Sequence, residues 1–119
     1  MLADPQSITI NAIGVSLPCV SRGANTSTYQ SADGLTKLTI SHNYGKRKRT
    51  LIRFDSTKTA ADPLVSTVNN VYSESVQVVI DRPLAGFTTT ETNYLLQGVA
   101  GVLTASSGNV AAAILGGQN

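Results

Sequence analysis

The sequence predicts an α+β chain, with an N-terminal β-hairpin and an antiparallel sheet of five to six strands followed by two C-terminal helices. Three observations predict it. From Gln6 to about Ile80, apolar and polar residues tend to alternate, the period of strands with one buried face. At Phe87 the period changes, and Leu95, Val99, Val102 and Leu103 recur at helical spacings. The 119 residues suffice for one domain with a single core, residues 1–83 forming the sheet and 84–119 the helices.

The elements follow in order. Ile8 and Ile10 alternate with Ser7, Thr9 and Asn11 in a first strand. Residues 11–14 break that alternation, and Pro18 and Gly23 punctuate an irregular second strand or ribbon. Ser27 to Gln30 favours strand and ends at the turn signal Asp33-Gly34. From Lys37 to Asn43, Leu38, Ile40 and His42 share one face, while Lys37, Thr39, Ser41 and Asn43 share the other. Tyr44-Gly45-Lys46 is expected to be a hairpin turn, with Gly45 free to take a positive φ. The return strand, Arg49 to Asp55, puts Thr50, Ile52 and Phe54 on the apolar side and Arg49, Leu51, Arg53 and Asp55 on the polar side. Residues 56–63 are expected to be a polar loop closed by Asp62-Pro63, followed by a long Val-rich strand from about Leu64 to Asp81. Arg82-Pro83 ends it, because proline cannot continue a sheet interior.

Thr88 to Glu91 fits a capping box, with Thr88 as N-cap. The first helix is expected to end near residues 106–108, and Asn109 to cap a shorter second helix that Gly116-Gly117 stops. Gly98 and Gly101 weaken the first helix by about 1 kcal/mol each and permit close approach of another backbone. Two short, weak helices are a thin cover for such a sheet. An intertwined dimer, in which each chain's helices also cover the partner's sheet, solves this.

Composition removes several classes. One cysteine, Cys19, excludes a disulfide framework and a cysteine-based zinc site, and is expected to be a small buried hydrophobe. The single histidine, His42, falls on the apolar side of its strand and leaves little room for histidine-centred catalysis. No apolar run reaches the roughly 18 residues of a membrane helix. Met1 to Pro5 has neither the basic nor the apolar segment of a secretory signal, so a cytoplasm-like compartment is expected. The acidic residues show no paired-carboxylate or metal spacing, and the glycines form no phosphate loop. No enzyme and no cofactor is expected.

Charged residues are only 13% of the chain, well below the roughly 25% of typical domains, which suits large packed interfaces. The net charge of +2 hides its placement. Lys46, Arg47, Lys48, Arg49 and Arg53 fall in a window with no acidic residue, while the remaining four basic residues face seven acidic ones. A mildly acidic scaffold thus displays one basic hairpin, with Lys37 alongside. Phosphate binding is the functional reading, because neutralised phosphates release condensed counterions. Thr39, Ser41 and Asn43 on that face can hydrogen-bond bases or sugars, and Tyr72 can stack on a base. A solvated turn, a nuclear-localisation tetrapeptide or a charged hairpin tip that blocks edge pairing are the alternatives. Counting back from Val76, Val78 and Ile80 places Tyr72 on the core side. Either a bulge shifts the parity, or Ser73, Ser75 and Gln77 face the ligand.

Leu38-Thr39-Ile40-Ser41-His42-Asn43, a short turn, and Lys46 to Phe54 together resemble the coat proteins of single-stranded RNA bacteriophages, the leviviruses. Chain length, the β-rich N-terminal part, the Val-rich strand and the two Ala/Leu helices extend the likeness in layout, and Tyr72-Ser73-Glu74 adds to it. The resemblance implies interlocked homodimers, an icosahedral shell enclosing the RNA genome with the sheet facing inward, and assembly in the bacterial host cytoplasm. It also implies, for many members, repression of replicase translation through an RNA hairpin. By the resemblance, Lys37, Thr39, Ser41, Asn43, Arg49 and Arg53 match RNA-facing positions, Tyr72 matches a base-stacking tyrosine, and residues 56–63 match the loop at the symmetry axes. The sequence departs from the family's small hydroxyl residues on adjacent strands: Thr39 and Ser41 are present, but strand parity puts Leu51 at the partnering position.

A capsid protein that packages single-stranded RNA is therefore the leading expectation. A non-capsid RNA- or DNA-binding sheet module, such as a translational repressor, shares the basic hairpin but stops at dimers. A small nuclease would need acids or a histidine on the basic face, where parity offers only Asp55.

Overall fold

The computed structural model describes residues 2, 4–10, 13–61, 63–65 and 67–118, with the side chain of residue 106 excepted. The expected break at Asn11 and the Asp62 end of the expected loop lie outside the described residues. The chain forms two compact units, Met1–Arg82 and Pro83–Asn119.

In the first unit, β1 (Gln6–Ile10) and β2 (Ile13–Leu17) pair as an antiparallel hairpin with Ile8 opposite Val15. A five-stranded antiparallel sheet follows in chain order: β3 (Cys19–Arg22), β4 (Thr26–Gln30), β5 (Thr36–Tyr44), β6 (Arg47–Ala61) and β7 (Asn69–Pro83). The irregular second strand is thus two strands in different sheets. Pro18 separates them: lacking an N–H, it cannot continue the ladder, and its carbonyl instead accepts the Gln30 N–H at 3.1 Å.

The β4–β5 turn uses Asp33 and Gly34 as expected. The Asp33 carboxylate accepts hydrogen bonds from the Ser31 hydroxyl and from the Leu35 N–H at 3.0 Å. These two donors, the hydroxyl foremost, hold the Asp33 carboxyl below its ordinary value. Gly34 sits at φ +74°, and a Cβ there would lie 3.1 Å from Gln30 Nε2. The β5–β6 turn differs from expectation, because Gly45 stays outside the left-handed region while its N–H reaches the Arg47 carbonyl at 3.2 Å.

Strand β6 is longer than the alternation suggested. Most of the expected 56–63 loop is strand through Ala61, and β7 begins at Asn69. Ser56 pairs with Thr36, and the Thr57 N–H donates to the Leu35 carbonyl at 2.8 Å. The polar Ser-Thr-Lys-Thr run therefore completes a ladder, and its threonines suit extended backbone.

The core is a lateral row. Cys19 lies opposite Tyr29, Tyr29 opposite Leu38, and Leu38 opposite Phe54. Tyr29 is 1% and Leu38 5% exposed, and Leu17 at 1% closes the cluster from above, with Ile8 and Val15 beside it. Within this unit, then, the β1–β2 hairpin covers the apolar face. Cys19 is half-buried against that cluster, and not fully enclosed.

In the second unit, α1 (Thr89–Leu115) opens on Thr88, whose Oγ1 accepts the Glu91 N–H at 3.1 Å. The two expected helices are its two arms, Thr89–Ala105 and Ser107–Leu115, bent by 86°. The break has a backbone cause: Ser107 and Gly108 lie at φ 60° and 87°. Many apolar side chains stay exposed on the single chain, among them Tyr94, Leu95, Val102 and Leu115. Among the described residues, no single helix is long and apolar enough to cross a membrane.

Leu38→Ala removes the centre of the lateral row and should cost about 2–5 kcal/mol. Leu51→Ala, on the opposite face, should cost less. Urea unfolding of the two variants checks this, and equal losses would contradict the placement of the core.

Candidate nucleic-acid interface

The polar face of the sheet is built by register. Opposite Lys37, Thr39, Ser41 and Asn43 of β5 stand Asp55, Arg53, Leu51 and Arg49 of β6. On the other side of β5, Thr26 pairs with Ser41, Thr28 with Thr39 and Gln30 with Lys37. Ser21, Thr28, Thr39 and Arg53 thus form one row across four strands, and Thr26, Ser41 and Leu51 a second. The hydroxyls of Thr26 and Thr28 belong to this face although charge placement did not indicate them. The alternation of Ser27 and Tyr29 with Thr26 and Thr28 was the available signal, since burial of Tyr29 sends its neighbours to the other side.

The arginines are not bare. Arg47 Nε donates to Asp81 Oδ1 at 3.0 Å, and an Arg49 terminal nitrogen lies 3.6 Å from Asp81 Oδ2. Arg53 donates to Asp55 Oδ1 at 2.9 Å. The Arg47 guanidinium, followed by Arg49, holds the Asp81 carboxyl below the ordinary aspartate value. Asp81 lies far along the chain in β7, and only the β6–β7 neighbourhood brings it to the hairpin.

The basic window also divides between faces. Lys48 pairs with Tyr44, and its parity puts it with His42 and Thr50 on the apolar side. Lys46 lies in the turn. Lys37, Arg47, Arg49 and Arg53 remain on the polar face, with Asp55 and Asp81 among them. The five-charge hairpin is therefore a more moderate basic surface than its sequence suggests. His42 Nδ1 lies 3.1 Å from Thr50 Oγ1, and its ring stacks on Tyr44 at a centroid distance of 6.1 Å.

Tyr72 stands apart from the arginine row. It lines a shallow pocket with Ser56, Lys58, Ser73 and Glu74. Strand β6 through Ser56 and Lys58 and strand β7 through residues 72–74 thus meet at this pocket. Among the described residues, no group of three or more His, Cys, Asp or Glu side chains is placed to hold a metal.

No protein-family model and no curated protein matches this sequence. Solved structures do match its fold. The virus-like particle of bacteriophage AVE019 superposes with a TM-score of 0.84 at 9% identity, over 100% of this chain and 98% of that one. The bacteriophage GA protein capsid gives 0.64 at 15% identity, covering 96% and 95%. An unassembled virus coat-protein dimer, a bacteriophage RNA-binding dimer, gives 0.58 at 14% identity, covering 98% and 95%. The expected levivirus-like coat-protein fold is the fold of this chain.

The Asp81 contacts carry a definite pH sign. A carboxyl lowered in the folded state contributes stability above its unfolded value, about 3.9, and that contribution is lost as pH falls through the folded value. NMR titration should place the Asp81 midpoint below 3.9, and Arg47→Ser should move it back up. An unmoved midpoint in the variant would refute the pairing.

Proposed function

We propose that this chain, which has the coat-protein fold of bacteriophage shells, is a capsid protein that dimerises, assembles into an icosahedral particle and packages single-stranded RNA. The observation that carries the reading is the one-sided sheet. One face is apolar and covered by the β1–β2 hairpin; the other presents Lys37, Arg47, Arg49 and Arg53 amid Thr39, Ser41 and Asn43. Cations contribute salt-sensitive affinity for phosphates, and the hydroxyl and amide groups between them suit sugars and base edges. The virion is the corresponding location, with assembly in the cytoplasm of a bacterial host.

Self-association answers a physical problem of the isolated chain. Strand β7 is an edge of the sheet, 15 residues long, with Val71, Val76 and Val79 exposed. Such an edge invites pairing with another chain. Leu95, 72% exposed, and its apolar neighbours on α1 need a partner surface as well. A homodimer that pairs edges and exchanges helices covers both, and higher assembly uses the low-charge exterior. The exposed Leu64, Val65 and Val68 of the β6–β7 connection suit contacts between dimers.

A second reading is favoured by one neighbour being an unassembled RNA-binding dimer. In it the chain acts as a discrete dimer that binds an RNA hairpin and represses translation. Size separates the two readings. The capsid reading predicts a multi-megadalton particle with a nucleic-acid absorbance ratio at 260 and 280 nm, visible by electron microscopy. Discrete dimers in every buffer would favour the repressor, and an RNA-free monomer would sink both.

The RNA-facing set is Lys37, Thr39, Ser41, Asn43, Arg47, Arg49 and Arg53, with Lys46 at the turn. Lys48 is assigned the opposite face, and Tyr72 the separate pocket beside Ser56 and Lys58. Arg49→Ser or Arg53→Ser should each weaken binding to single-stranded RNA and flatten its salt dependence by about 0.7 in log–log slope. Lys48→Ser and Tyr72→Ser should change both far less. Equal effects at Lys48 and Arg53 would overturn the facial assignment.

A further inference from the structure

We propose that Asp81 is a built-in competitor for RNA phosphate, occupying Arg47 and Arg49 through its two carboxylate oxygens until a phosphodiester displaces it. The proposal rests on the RNA-binding reading and adds to it a residue that sets affinity from outside the basic hairpin. The geometry is that of a bridging anion. Oδ1 takes the Arg47 Nε at 3.0 Å, while Oδ2 faces the Arg49 guanidinium at 3.6 Å. Two oxygens on one centre, each turned to a different arginine, present what the two non-bridging oxygens of a phosphodiester present.

Displacement is feasible because all three side chains are open to solvent. Arg47 is 55%, Arg49 62% and Asp81 37% exposed. Exposed ion pairs are weak, so a phosphate carrying a full charge and several acceptors can replace the carboxylate. Each guanidinium also has further donors beyond the one spent on Asp81. Even when Asp81 remains in place, its charge repels a phosphate at the same arginines. The carboxylate therefore lowers affinity and softens the salt dependence, which keeps RNA attachment broad and reversible while a shell forms. Asp55 stands in a comparable position beside Arg53 and opposite Lys37, but contacts only one arginine.

The test compares Asp81→Asn with Glu74→Gln in the full chain, titrated with a fluorescent single-stranded oligouridylate over a salt series. Both variants remove one negative charge. Glu74, however, lines the pocket with Tyr72 and Lys58. Asp81→Asn should tighten binding about three-fold at low salt and steepen the log–log salt slope by about 0.7 to 1.4, with Glu74→Gln close to wild type. In the background of Arg47→Ser and Arg49→Ser, Asp81→Asn should add nothing. Equal effects of the two charge removals would overturn the proposal, as would weaker binding by Asp81→Asn, which would make the carboxylate an organiser of the arginines. Failure of the wild-type protein to bind the oligonucleotide at any salt would instead sink the RNA reading and this proposal with it. Circular dichroism of Asp81→Asn checks that the sheet is intact.

Discussion

Burial of a single row of side chains, Cys19, Tyr29, Leu38 and Phe54, sets the geometry on which everything else depends. In strands, successive side chains point to opposite faces, so fixing Leu38 inward fixes Lys37 and Thr39 outward. The same holds for Tyr29 against Thr28, and for Phe54 against Arg53 and Asp55. A one-residue slip of β5 or β6 would bury arginines and expose the row. The hairpin that covers the row, through Leu17, Ile8 and Val15, therefore also guarantees the composition of the polar face.

That polar face is a balanced surface. Its cations come mainly from β5 and β6, adjacent strands joined by a tight turn, and its carboxylates lie at Asp55 and Asp81. Ion pairing spends part of each arginine on the protein itself, so the face is basic without being a bare cluster. The proposed packaging of RNA would be served by many modest contacts on such a face. The threonine and serine hydroxyls of β4 and β5 extend the surface between the charges. The depressed Asp81 carboxyl shows the same coupling, since its proton affinity reports on the arginines beside it.

The strands with clean alternation were readable directly. Lys37 to Asn43 and Arg49 to Asp55 have the faces that their pattern implies, and the Thr88 cap and the turn at Asp33-Gly34 have local chemistry strong enough to be recognised. Three features were not. Residues 56–61 look like a polar loop, yet their backbone pairs with residues far along the chain, and ladder hydrogen bonds are blind to side-chain polarity. Gly45 offered a left-handed turn that the hairpin does not use. Lys48 added to a charge count but alternates to the other face, so the window overstated what the polar face carries.

Local sequence determined the period of each strand, the helix start, the location of basic charge and the coat-protein resemblance, because these depend on residues within a few positions of one another. Tertiary structure alone decided that Asp81 meets Arg47 and Arg49, which layer covers the core, and that Tyr72 meets Ser56 and Lys58 at one pocket. Each of those depends on strand neighbourhood across tens of residues. The pairing of β6 with β7 brings Asp81 to Arg47, and no spacing along the chain encodes that meeting.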